Sequence, residues 1–120
     1  MRKALTMALI FGAIVIGAGP VAAHHSFALF DNDKTVPLEG TVKSFEWTNP
    51  HSWIVLEVLG ENRAVQEWRI ELPAASLLAR EGWNKFYVKP GEKIVVRINP
   101  LKDGGHGGSL ESFTPDEPHR

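Results

Sequence analysis

The sequence predicts a mainly β fold, on three observations. From Leu38 to Leu72 apolar and polar residues alternate with the two-residue period of a strand. Two clusters of turn formers, "TNPH" and "ENRA", interrupt that alternation at short intervals. One stretch of helical character follows, and two more strand-like stretches come after it.

The first strand is "LEGTVKSFEW", the second "SWIVLEVLG" and the third "VQEWRIEL", so three consecutive strands with short turns form an antiparallel meander. On the second, Ile54, Leu56 and Val58 share one face and Trp53, Val55 and Glu57 the other. On the third, Trp68, Ile70 and Leu72 face inward, while Glu67, Arg69 and Glu71 make a solvated outer stripe. In "PAASLLAREGW", Pro73 suits a first helical turn, Leu77 and Leu78 give an apolar patch, and Gly82 stands just past the end. A Pro-Gly turn then leads into "EKIVVRINP", with Ile94, Val96 and Ile98 on one face. The glycine-rich "KDGGHGG" reads as a loop, and Ser109 to Phe113 as a short last strand.

Three strands, a helix and two strands, in a chain of 120 residues, is the order of a five-stranded OB-like Greek-key barrel with one short helix between strands 3 and 4. Gly40 suits the bend needed by a first strand shared between both halves of such a barrel.

The N-terminus carries a different signal. Arg2 and Lys3 precede an apolar run, Ala4 to Ala18, and small residues close it before His24, as in a secretory signal peptide over residues 1–23. A membrane span needs about 20 strongly apolar residues, and this run is shorter and broken by Gly12 and Gly17, so no stable span is expected after cleavage. Cleavage after Ala23 puts Val21 and Ala23 at the two small-residue positions and makes His24-His25-Ser26 the mature start. Residues 24–37, with Asp31, Asn32, Asp33 and Pro37 as turn formers, form an arm pinned by Phe27, Leu29 and Phe30. Residues 38–114 make the barrel and 115–120 a polar tail.

Removing Arg2 and Lys3 from the 13 basic residues leaves 11 against 14 acidic ones, a formal charge of −3 with His neutral. That balance argues against nucleic acid, whose backbone demands basic clusters. An exported domain without cysteine has no disulfide, thiolate site or cysteine nucleophile, so its stability comes from core burial.

Several stretches carry a family resemblance: "AHHSFALFD", "LEGTVKSFEWTNPHSWIVLEV", "REGW", "KPGEKIVV" and "KDGG". Together they resemble a family of small exported bacterial proteins known as a domain of unknown function. The resemblance covers nearly the whole mature chain and implies a periplasmic or secreted OB-like domain, without supplying a reaction. It maps onto His24, His25, Trp47, Asn49, Pro50 and His51; "GGHGG" and the short tail depart from its usual pattern.

Chemistry concentrates in two places. A free His24 offers its α-amine and ring Nδ1 as a chelate. His25 adds an imidazole, and His51 an outside ligand, giving a nitrogen-rich set that suits Cu(II). The amine must be neutral to bind, and its unperturbed pKa of about 7.7–8.0 makes such a site pH-sensitive. Fourteen residues separate His24 from Leu38 and can span about 46 Å, so reach alone leaves the outside ligand open. The plainer reading makes His24 and His25 a polar terminus and His51 a turn residue bonded to Asn49 or backbone; His106 and His119 read as solvent-exposed.

The second place is the turn itself, where Trp47 and Trp53 flank Asn49 and His51 as a rim for a periplasmic protein or a small ligand. The alternative makes both indoles packing residues, as Trp68 and Trp83 are expected to be.

Neither enzyme motifs nor calcium loops fit. "DNDK" has Thr35 and Val36 where an EF-hand places a ligand and its glycine, so an Asx turn is expected there. No G-x-S-x-G elbow occurs, and "GGHGG" precedes no helix pattern. The expectation is a non-catalytic exported binding domain, with copper as the sharper reading and the tryptophan rim as the other.

Overall fold

A computed structural model describes residues 29–115. The elements follow the expected order: β1 (Val36–Glu46), β2 (Ser52–Leu59), a single 3-10 turn (Glu61–Arg63), β3 (Val65–Leu72), α1 (Ala75–Arg80), β4 (Lys93–Pro100) and β5 (Gly107–Pro115). The strands close into one barrel in the order β1-β2-β3-β5-β4, with β4 returning to β1. β3 and β5 run parallel and all other pairs antiparallel, which is the OB arrangement the sequence order predicts.

Closure depends on β1 serving two neighbours. Val36–Thr41 pair with β4, while Thr41–Glu46 pair with β2. The changeover falls at Thr41, next to Gly40, where a Cβ would sit 2.6 Å from the Glu57 carbonyl oxygen and 2.8 Å from Leu56 Cγ. Only glycine lets the strands approach this closely at the bend. A register shift between Val42 and Ser44 then leaves Lys43 as a bulge residue, which adds local twist.

The alternating faces fall as the sequence requires. Ile54 and Leu56 of β2, Ile70 of β3, and Val96 and Ile98 of β4 have no measurable exposure, and Val42, Leu72 and Ile94 are nearly as deep. Each fully buried aliphatic chain stabilises the fold by roughly 1.5–3 kcal/mol. Among the described residues this interior, without a disulfide, is what holds the barrel together.

The helix closes one end of the barrel through Ala75 and Leu78; Leu77 is half-exposed, so only one of the two expected leucines enters the core. It starts at Ala75, two residues beyond Pro73, and Ala74 offers no side-chain cap. The β1–β2 turn supplies the caps instead: the Ala75 amide donates to the Thr48 carbonyl at 3.0 Å and the Ser76 amide to Asn49 Oδ1 at 3.1 Å. Gly82, at φ +90°, ends the helix, and the Trp83 amide donates back to the Leu78 carbonyl. Asn49→Ala is accordingly expected to lower stability by about 0.5–2 kcal/mol, read from the urea midpoint, with Asn49→Asp recovering most of it.

Two strand starts differ from the sequence reading. β1 opens at Val36, inside the segment assigned to the arm, and β5 opens at Gly107, inside the expected glycine loop. Both Gly107 and Gly108 are buried, and a Cβ on Gly108 would lie 2.6 Å from the Asn99 carbonyl oxygen. These glycines are close-contact strand residues, not slack chain.

Candidate functional site

The turn "TNPH" is held by its own side chains. Ser52 is fully buried; its Oγ donates to the Thr48 carbonyl at 3.1 Å and accepts from the Thr48 amide at 3.2 Å, and Thr48 Oγ1 donates to the His51 carbonyl. The Asn49–Pro50 peptide is cis. This bracing places His51 at the mouth of β2, directly against the end of β3. Its Nδ1 lies 2.9 Å from Glu71 Oε1, whose side chain is only 12 % exposed. A carboxylate only accepts, so Nδ1 carries the proton and Nε2 keeps its lone pair whenever the ring is neutral.

His51 and Glu71 line a cleft of about 290 Å³ together with Asn32, Asn99 and Ser109, over an apolar bed that includes Leu72 and Leu110. Register explains the convergence: Glu71 pairs with Ser109 across the parallel seam, and Ser109 with Asn99 across β4–β5, so the three lie side by side.

The opposite wall is the arm. Phe30 is buried and bridges to Leu101. The Asp31 amide donates to the Pro100 carbonyl at 2.8 Å, the Lys102 amide to the Leu29 carbonyl at 2.9 Å, and Asn99 Nδ2 to the Lys34 carbonyl at 2.8 Å. Asp31 Oδ1 accepts the Asp33 amide, so "DNDK" is the expected Asx turn. Of the three arm anchors read from the sequence, Phe30 is inside, Leu29 is exposed and Phe27 lies outside the described residues.

The residues singled out from sequence distribute unevenly. His24 and His25 lie outside the described residues. His51 is in the cleft. Asn49 caps α1. The two rim tryptophans part company: Trp47 packs with the interior, edge-on to Phe45 at 5.9 Å, whereas Trp53 sits on the outer face with the Arg69 guanidinium 4.4 Å from its ring centroid. His106 is exposed, as expected, but stacks on Trp68 at 5.0 Å.

The outer stripe of β3 is more engaged than a solvated face. Glu67 pairs with Lys43 at 2.6 Å, Arg69 with Glu46 at 3.0 Å, and Glu71 with His51. The Glu67 hydrogen bond and charge hold Lys43 above its ordinary pKa, at an exposed position away from the cleft. Glu71 is the site residue that sequence reasoning missed. Counting the β2–β3 hairpin back from "ENRA" sets Trp53 opposite Glu71, two positions from His51 and on the same strand face, and that register was the available signal.

No group of three or more His, Asp or Glu side chains within metal-binding distance occurs among the described residues. Among the described residues no helix is long and apolar enough to cross a membrane.

No curated protein matches the chain in sequence. Among solved structures, the N-terminal domain of PriB from Thermoanaerobacter tencongensis, described as dimeric, is similar at 18 % identity with a TM-score of 0.45. The match covers 70 % of this chain and 99 % of that one. A likeness this shallow carries nothing about ligand or partner. The family match is far broader: residues 13–111, from the apolar N-terminal run through all but the end of β5, fit the model of the Family of unknown function (DUF6152), and the chain belongs to that family.

Proposed function

We propose that the protein is an exported, non-catalytic binding domain, periplasmic or secreted, whose mature chain begins at His24 and holds Cu(II). The ligands are the His24 amine and imidazole, His25, and Nε2 of His51. One observation carries the reading: His51, with Nδ1 committed to Glu71, lines the same cleft as Phe30 and Asn32 of the arm. Phe30 is six residues from His24, which limits the reach to about 20 Å in place of the 46 Å that the whole arm would allow.

The donor set favours the oxidised ion. The two methionines, Met1 and Met7, precede the cut and there is no cysteine, so the mature chain offers no sulfur. Amine and imidazole nitrogens suit tetragonal Cu(II), and soft thioether or thiolate ligands suit Cu(I). Affinity should fall as the amine protonates, on the acid side of about 7.7–8.0.

The test is a titration of exported protein, confirmed by intact mass to begin at His24, with Cu(II) and Zn(II), beside an N-acetylated control. Strong copper binding lost on acetylation is the expected result. Binding indifferent to acetylation, or none, sinks the proposal.

A further inference from the structure

A second cleft, of about 410 Å³, opens where α1 meets β5, sharing only Pro73 and Leu110 with the His51 cleft. Three rings wall it: Trp83 and Tyr87 stack at 4.1 Å and 26°, and Phe113 lies 5.5 Å from Trp83 and 6.0 Å from Tyr87. The rings are fixed in advance. The Trp83 amide is tied to Leu78, its indole also meets Phe45 at 6.3 Å, and Phe113 packs against the core. A ligand placed here meets rings already in contact with one another, which lowers the ordering cost of binding.

The remaining polar lining is Glu81, Glu111 and Ser112, with no Lys, Arg or His. Among the described residues neither glutamate has a salt-bridge partner. Glu111 is also the extra residue of a bulge: Leu110 pairs with Ile98 and Ser112 with Arg97, which leaves Glu111 unopposed. Bulges re-aim a side chain and are concentrated beside functional sites.

We propose that this cleft binds a small organic ammonium ion, with the rings contacting its alkyl surface and the two carboxylates balancing its charge. An apolar neutral ligand would use the rings and leave the carboxylates idle, and a bare metal ion would do the reverse. A methylated or alkylated ammonium uses both, because its weakly hydrated alkyl surface packs on rings while its diffuse positive charge is drawn to carboxylates. This site is independent of the copper reading.

The test is an NMR titration of the protein with choline and with choline's neutral tert-butyl analogue, which has nearly the same shape. Choline is expected to move the Trp83 indole and Tyr87 signals and to bind roughly three- to tenfold more tightly than the analogue. The exposed double substitution Glu81→Gln/Glu111→Gln should erase most of that preference while the protein stays folded. His51→Ala should leave it untouched, which separates this site from the copper site. Equal binding of choline and the analogue, or signals from Trp83 and Tyr87 that do not move, would overturn the proposal.

Discussion

Leu56→Ala is expected to cost about 2–5 kcal/mol of unfolding free energy, a large fraction of what a small domain possesses. Leu56 has no exposed surface, stands at the middle of β2, and touches the bend of β1 at Gly40. Gly40→Ala is expected to destabilise as well, by about 1–3 kcal/mol, through overpacking. The two changes should compensate only in part. Shortening Leu56 clears the atom 2.8 Å from the new methyl, but the Glu57 carbonyl oxygen at 2.6 Å is backbone and stays in place. Urea unfolding of the two single variants and the double variant measures this coupling. A double variant as stable as the parent would show that β1 can bend without glycine at position 40.

The second large effect concerns Glu71. If Cu(II) is held through His51 Nε2, then Glu71→Ala should weaken it about 10–100-fold, the usual consequence of deleting the group that orients a ligating imidazole. Glu71→Gln should weaken it much less, because the amide oxygen still accepts from Nδ1. Competition titrations of the two variants, with thermal unfolding as the control for folding, separate orientation from general damage. Identical affinities for parent, Ala and Gln variants would remove Glu71 from the site.

Much of the barrel was readable in the chain because most of its strand residues alternate between inside and outside, with Val55, buried between Ile54 and Leu56, as an exception. Ile54 and Leu56, and Ile70 and Leu72, are buried as their spacing requires. What the spacing could not convey was contact between distant segments. Asn49 read as a ligand-facing group because a capping role for it exists only once α1 is brought against the β1–β2 turn. Gly107 and Gly108 read as loop because glycine composition does not distinguish freedom from close approach; Leu101 and the Arg69 carbonyl beside Gly107, and the Asn99 carbonyl and Ile98 beside Gly108, decide that. Glu71 looked solvated on β3 alone, and gained its role from His51 at the start of β2. The placement of His51 beside the arm likewise depends on the Phe30–Leu101 bridge, a pairing across 71 positions that no local pattern announces.

The parallel seam has a consequence for how the molecule breathes. β3 and β5 are joined over only three register pairs, Arg69 with Gly107 to Glu71 with Ser109, whereas β2 and β3 pair along eight. The shortest ladder of a closed ring is where transient opening begins, so amides along it should exchange with solvent before those of the β2–β3 hairpin. Glu71 and Ser109 belong both to this ladder and to the lining of the His51 cleft. An occupant of that cleft would act as a clasp on the weakest joint of the ring, turning occupancy into resistance to unfolding and to proteolysis.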